Sequence, residues 1–170
     1  MPTTTITPDQ DAIISEVEIA APASRIFKAL THSDQLVRWF TDAACPVEFW
    51  KMEPHKGGVY SYATEKGSHE VNEVSEFRCQ GEILEFDPPR LLAYTWIANW
   101  HLDKQRKTIV HWELTPTAKG THVRVTHSGL AQEAAARQDY HGGWPGVLTK
   151  LKRFAEAKPA EHRVAELRKN

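Results

Sequence analysis

Leu91-Leu-Ala-Tyr94-Thr-Trp96-Ile-Ala98, Lys107-Thr-Ile-Val110-His-Trp112-Glu-Leu114-Thr115 and Thr121-His-Val123-Arg-Val125-Thr-His127 follow one another closely in the chain. Each alternates large apolar or aromatic residues with polar or smaller ones, the period-two pattern of a half-buried strand. Leu92, Tyr94 and Trp96 share a face; so do Val110, Trp112 and Leu114, and so do Val123, Val125 and His127. Thr117-Ala-Lys-Gly120 supplies a hairpin turn between the last two strands. After Gly129 the texture changes to Ala/Glu/Gln/Arg-rich sequence, and Trp144, Val147, Leu148, Leu151, Phe154 and Ala155 recur at three and four residues as a long amphipathic helix does. Strands in a run followed by a long helix specify an α+β fold with an antiparallel sheet, whose concave face is the one large partner for that helix.

Working outward, Ile13, Ser15, Val17 and Ile19 alternate with Ile14, Glu16 and Glu18, so a strand opens the domain and ends at Ala21-Pro22. Ile26, Phe27 and Leu30 then mark a short helix; Thr31 to Asp34 makes a break; Leu36, Val37, Trp39 and Phe40 mark a second short helix. Val47 to Met52, Val59 to Ala63 and Phe77 to Phe86 read as further strands, with Gly57-Gly58 and Asp87-Pro-Pro-Arg90 as turns. Residues 64–76 read as an exposed polar excursion. Gly142-Gly143 is expected to interrupt or bend the long helix, which restarts at Trp144-Pro145-Gly146 and runs to about Lys158. The domain assignment is a flexible lead-in over 1–12, one domain over 13–158 and a charged tail over 159–170.

Composition narrows the function classes. The chain has 170 residues with 21 Lys+Arg against 22 Asp+Glu, a formal charge of -1. That balance offers neither nucleic acid nor an anionic membrane a complementary surface, and it favours a neutral, largely apolar ligand. Two cysteines, Cys45 and Cys79, without a Cys-x-x-Cys pair argue against a disulfide framework or a zinc ribbon. No apolar run reaches membrane-spanning length, and the polar N-terminus does not read as a secretory signal, so a cytoplasmic setting is expected. Nine histidines lack metal-ligand spacing; no cofactor is expected.

The blocks Ala21-Pro-Ala23…Ile26-Phe27…Leu30-Thr31…Leu36…Trp39-Phe40, Gly81-Glu-Ile83-Leu-Glu-Phe-Asp-Pro-Pro-Arg90-Leu91…Tyr94-Thr-Trp96, Leu114-Thr-Pro…Gly120-Thr121…Val125-Thr-His-Ser-Gly-Leu130 and Gly143-Trp144 with Leu148 and Leu151 resemble the activator of heat-shock-protein-90 ATPase homologue-like family. That family sits in the SRPBCC (START, Bet v 1-like) superfamily. The resemblance spans roughly Ile13 to Phe154. It implies a helix-grip fold, a sheet wrapped around the long C-terminal helix with a cavity between them. The superfamily includes lipid and hormone binders, polyketide aromatase/cyclases and an enediyne-resistance protein. The resemblance is to the co-chaperone's C-terminal domain; the co-chaperone's long N-terminal domain has no counterpart here.

These readings converge on a small hydrophobic or aromatic molecule bound between sheet and helix. The expected lining is Trp39, Tyr60, Tyr62, Tyr94, Trp96, Trp112, His127, Trp144 and Leu148, with His127 or a tyrosine orienting one polar atom. Trp50 and Trp100 lie near strand or loop ends, where a cavity mouth or a partner surface can use them, and Asp139-Tyr140-His141 reads as cavity rim or plain surface. A cyclase- or hydrolase-like enzyme using His127 with Tyr94 is a second reading, and requires both polar groups to converge in the cavity. A chaperone-interacting module is the third and requires an exposed patch. A second copy of the chain, as a homodimer, is an admissible partner.

Overall fold

The computed structural model describes residues 1–42 and 45–157. The expected tail over 159–170, and Lys158 before it, lie outside the described residues. Eight strands form one antiparallel sheet: β1 (Thr3–Ile6), β2 (Ile13–Ile19), β3 (Val47–Met52), β4 (Val59–Thr64), β5 (Arg78–Asp87), β6 (Leu91–Ala98), β7 (Thr108–Thr117) and β8 (Gly120–Ser128). Their order across the sheet is β1-β2-β8-β7-β6-β5-β4-β3. Helices α1 (Ala23–Thr31) and α2 (Ser33–Trp39) follow β2, and α3 (Ala134–Glu156) is the last element among the described residues. This is the α+β helix-grip, Bet v 1-like arrangement.

Two elements differ from the sequence reading. Thr3–Ile6, taken as lead-in, pairs with β2 as an edge strand, and the Ser15 hydroxyl donates to the Thr3 carbonyl. A four-residue edge strand carries few side chains that need burying, so its own pattern is weak. The break between α1 and α2 is His32 alone, not four residues. The Thr31 hydroxyl donates back to the Phe27 carbonyl and completes the last turn of α1, while Ser33 Oγ accepts from the Met52 N–H and ties α2 to β3. The polar excursion between β4 and β5 turns at Val71–Val74, and Val71 is buried.

α3 runs unbroken for 23 residues through Gly142, Gly143 and Pro145. Its C-terminal end is pinned to the start of the domain. The Glu156 carboxylate accepts from the Ala20 N–H and from Lys152 Nζ, Lys152 Nζ also reaches the Glu18 carbonyl, and the Arg25 guanidinium donates to the Ala155 carbonyl. At the other end Glu133 is fully buried and accepts from the Leu102 and Asp103 N–H groups and from Arg106 Nε. Burial works to raise its pKa, and those donors outweigh burial, so the carboxyl sits below its ordinary range. The β6–β7 loop is thereby fastened to the base of α3.

Across β4–β6 the ring of Tyr60 lies over Gly81, its neighbour in register, and its hydroxyl donates to the Thr95 carbonyl at 2.5 Å. A Cβ at Gly81 would sit 1.9 Å from that carbonyl oxygen and 2.7 Å from Tyr60 Cε1. No rotamer relieves a clash with backbone. Gly81→Ala is therefore expected to cost about 1–3 kcal/mol, read from urea unfolding midpoints. An unchanged midpoint would show that β5 yields there at no cost.

Candidate functional site

The space between sheet and α3 divides into a filled half and an open half. In the filled half, Trp112, Leu92, Leu114, Val110, Val123 and Val125 from the sheet meet Trp144, Leu148 and Leu151 from α3, all 4% exposed or less. Polar atoms there pair with one another. Thr108 Oγ1 donates to the Trp96 carbonyl, so it receives the Nε2–H of His127 at 2.8 Å. His127 Nδ1 then accepts from Trp144 Nε1 at 3.2 Å. Burial holds the His127 pKa well below its ordinary value, with the neighbouring His101 acting in the same direction. Tyr94 is likewise consumed, its hydroxyl accepting from Trp112 Nε1. Both groups are buried in the packed half, and neither lines the cavity on the other side.

The open half is a cavity of about 520 Å³ beside α3, opening between that helix and the α2–β3 connection. Its apolar wall comes from Phe40, Val47, Tyr62, Phe77, Trp96 and Trp100. α3 contributes Tyr140, Trp144 and Val147, and between them Gly142, Gly143 and Gly146. A Cβ on any of these three glycines would meet nothing within 4 Å. Close approach therefore does not require glycine at these positions, and each costs the helix roughly 0.5–1 kcal/mol relative to alanine. All three are solvent-exposed, so they leave the mouth of the cavity open.

Trp96 is the partition between the halves. Its ring packs against Tyr62, Tyr94, Trp100, His127, Tyr140 and Trp144. Its Nε1 donates to the Tyr140 hydroxyl at 2.9 Å, and that oxygen lies 2.8 Å from His101 Nε2. Burial raises the Tyr140 pKa well above its ordinary value and lowers that of His101. Both shifts favour the neutral forms of the two groups.

The rim is polar. His69 Nε2 sits 2.6 Å from Asp139 Oδ1, joining the β4–β5 excursion to α3. Lys150 Nζ donates to the Phe40 carbonyl and to Asp42 Oδ2, each at 2.9 Å. Cys45 and Arg153 complete this side, and burial raises the Cys45 thiol pKa, with the Asp42 carboxylate adding to it. Among the described residues no group of three or more His, Cys, Asp or Glu is arranged to hold a metal ion, and no helix is long and apolar enough to cross a membrane.

Of the nine residues expected to line a cavity, Tyr62, Trp96 and Trp144 do. Trp39, Tyr60, Tyr94, Trp112, His127 and Leu148 face inward but pack in the filled core; Trp39 Nε1, for example, donates to the Ala29 carbonyl. Alternation identifies the inward face and does not say where α3 fills it. Trp50, assigned to a mouth or partner surface, is instead stacked on Tyr60 and Tyr62, whereas Trp100 does border the cavity. Asp139 and Tyr140 of the noted triplet are rim and wall. Gly142 and Gly143 read in the sequence as a helix break and Gly146 as part of the restart; the spacing of three and four residues to Gly146 is the signal that sets all three toward one side of α3.

Acid should expose the state of His127. The folded protein keeps the ring neutral while the unfolded chain takes up a proton near pH 6.5, so the unfolded state binds more protons and stability falls as pH drops below that value. The slope is up to about 1.4 kcal/mol per pH unit for each such histidine; His101 contributes in the same sense. In His127→Gln, which retains an acceptor for Trp144, urea unfolding between pH 6.5 and 5 should show a shallower fall than wild type. Parallel curves would mean the buried ring is already protonated.

The model of one protein family, described as Activator of Hsp90 ATPase homolog 1-like protein, matches residues 20–156. No curated protein matches the chain. Among solved structures, a protein from Rhodobacter sphaeroides superposes with a TM-score of 0.71 at 19% identity, covering 91% of this chain and 95% of its own. One from Mesorhizobium loti gives 0.65 at 26% identity, with coverage of 84% and 95%. An AHSA1-like protein from Aeromonas hydrophila gives 0.66 at 20% identity, with coverage of 85% and 92%.

Proposed function

The chain belongs to the Activator of Hsp90 ATPase homolog 1-like family, and from that membership and the shape of its interior we propose that it binds a small, largely apolar molecule in the cavity beside α3. The observation that carries this reading is the aromatic wall of that cavity. Gly142, Gly143 and Gly146 stand exposed at its edge, where they cost the helix about 1.5–3 kcal/mol together relative to alanine and leave the mouth unobstructed. A volume of about 520 Å³ falls in the range of small-molecule sites, and an aromatic wall with a few polar groups at the rim is the usual make-up of such sites. Phe40, Tyr62, Trp96, Trp100, Tyr140 and Trp144 offer flat faces on which a ring system or a compact hydrocarbon loses its water shell.

His127 and Tyr94 are no part of this binding. They set the back wall through Trp144 and Trp112, and the ligand meets Trp96, Tyr140 and Trp144 instead.

The test uses N-phenyl-1-naphthylamine, a neutral probe whose fluorescence rises in apolar surroundings, with quenching of Trp96, Trp100 and Trp144 as the second readout. Saturable one-to-one binding is expected. Gly146→Leu places an isobutyl group in the open space, so affinity should fall at least ten-fold while the thermal midpoint holds or rises, the glycine penalty having been removed. Loss of binding together with a large loss of stability would assign the glycine a packing role and remove the support it lends the cavity as a binding site. Mass spectrometry of the native protein provides an independent check for a co-purifying small molecule.

A further inference from the structure

The charges around the cavity are not evenly committed. Lys150 spends its ammonium on the Phe40 carbonyl and the Asp42 carboxylate. The other rim carboxylate, Asp139, is held by His69. Arg153 also borders the cavity, is exposed, and has no hydrogen-bond or ion-pair partner among the described residues. It follows Gly146 by two turns and Lys150 by three residues, so it lies along the same face of α3 as the glycines, about 10 Å further along the axis. The side chain of arginine is long enough to bring its guanidinium part of the way back toward them.

We propose that the ligand is an amphipathic anion: an apolar body of roughly two rings or a medium-length chain lying over Gly142, Gly143 and Gly146, with a single acidic group on the guanidinium of Arg153. This rests on the binding reading above and gives it a chemical class. Burying the body against Trp96, Trp100 and Trp144 supplies the affinity, and the planar fork of arginine matches a carboxylate, sulfonate or phosphate with paired donors. The two rim carboxylates would repel such a group if they were unpaired, and both have cationic or hydrogen-bonding partners that offset this. The Lys150–Asp42 pair beside Phe40 separates the acidic head from the aromatic wall, which orients the molecule with its body inward.

The experiment compares two probes that differ by one sulfonate: N-phenyl-1-naphthylamine, which is neutral, and 8-anilinonaphthalene-1-sulfonate, its anionic counterpart. Wild type should bind the sulfonate about five- to ten-fold more tightly at low salt, and the preference should shrink as ionic strength rises. Arg153→Gln should abolish the preference by weakening the sulfonate alone, with the neutral probe within two-fold of wild type and the thermal midpoint unchanged, since the arginine supports no described contact. Arg153→Lys should keep part of the preference. Displacement by decanoate but not by decanol would extend the result to carboxylates. Equal affinities for the two probes, or an Arg153→Gln variant that weakens both alike, would overturn the acidic-ligand assignment and leave hydrophobic binding standing. Binding of neither probe would overturn both.

Discussion

The seating of Trp144 in the sheet is the constraint on which the rest of the structure depends. One chain of donors and acceptors runs from Trp144 Nε1 through His127 and Thr108 to the Trp96 carbonyl, linking α3 to β8, β7 and β6 at full burial. Each member has one arrangement that satisfies it, because an unpaired polar atom at that depth costs about 1–3 kcal/mol. The register of α3 on the sheet is therefore set by directional bonds as well as by apolar area. With Trp144 fixed, the buried face that follows it at three and four residues, Leu148, Leu151 and Ala155, packs toward the β1–β2 side of the sheet, and the exposed glycines border the cavity.

This seating explains why one concave sheet supports two different interiors. On the β2–β8–β7 side, branched aliphatic residues interdigitate with α3 to native density. On the β4–β3 side the sheet stands away from α3, and the aromatic rings of Tyr62, Trp96, Trp100, Tyr140 and Trp144 border the gap without closing it. Filling that gap from the helix would require large residues at 142, 143 and 146, where the chain has glycine. Rigidity at the filled half makes the open half durable: a cavity lined by mobile side chains would collapse to recover dispersion contacts, whereas Trp96 and Tyr140 are held by rings on several sides and by the Trp96 Nε1–Tyr140 hydrogen bond.

Much of this was legible in the residues, for a physical reason. Strand alternation and helix periodicity report burial directly, so β2, β5, β6, β7, β8 and the apolar stripe of α3 could be read to within a residue or two. What could not be read depended on partners distant in sequence. Thr3–Ile6 becomes a strand because β2 has a free edge. Gly142, Gly143 and Pro145 stay helical because Trp144, Leu148 and Leu151 are gripped by the sheet, and tertiary burial outweighs local propensity. Whether an inward side chain borders a cavity or a packed core is decided by what faces it. His127 and Tyr94 have the alternation expected of wall residues, yet both meet tryptophan indole N–H groups, while Tyr140 and Trp100, which the sequence offers only as rim, surface or mouth residues, form part of the wall.

The same distinction governs charge. A net value of -1 describes the field far from the molecule, where opposite charges average out over a Debye length of about 8 Å in physiological salt. A ligand at the mouth of the cavity is closer than that to single side chains, and responds to which of them are already paired. Lys150 pairs with Asp42 and His69 is hydrogen-bonded to Asp139, whereas among the described residues the Arg153 guanidinium has no such partner. Near-neutrality overall thus argues against polyanionic partners, which need many phosphates contacted at once, without arguing against a small molecule bearing one acidic group. In the proposed complex the aromatic wall sets how much apolar surface is buried, and Arg153 sets which end of the molecule faces water.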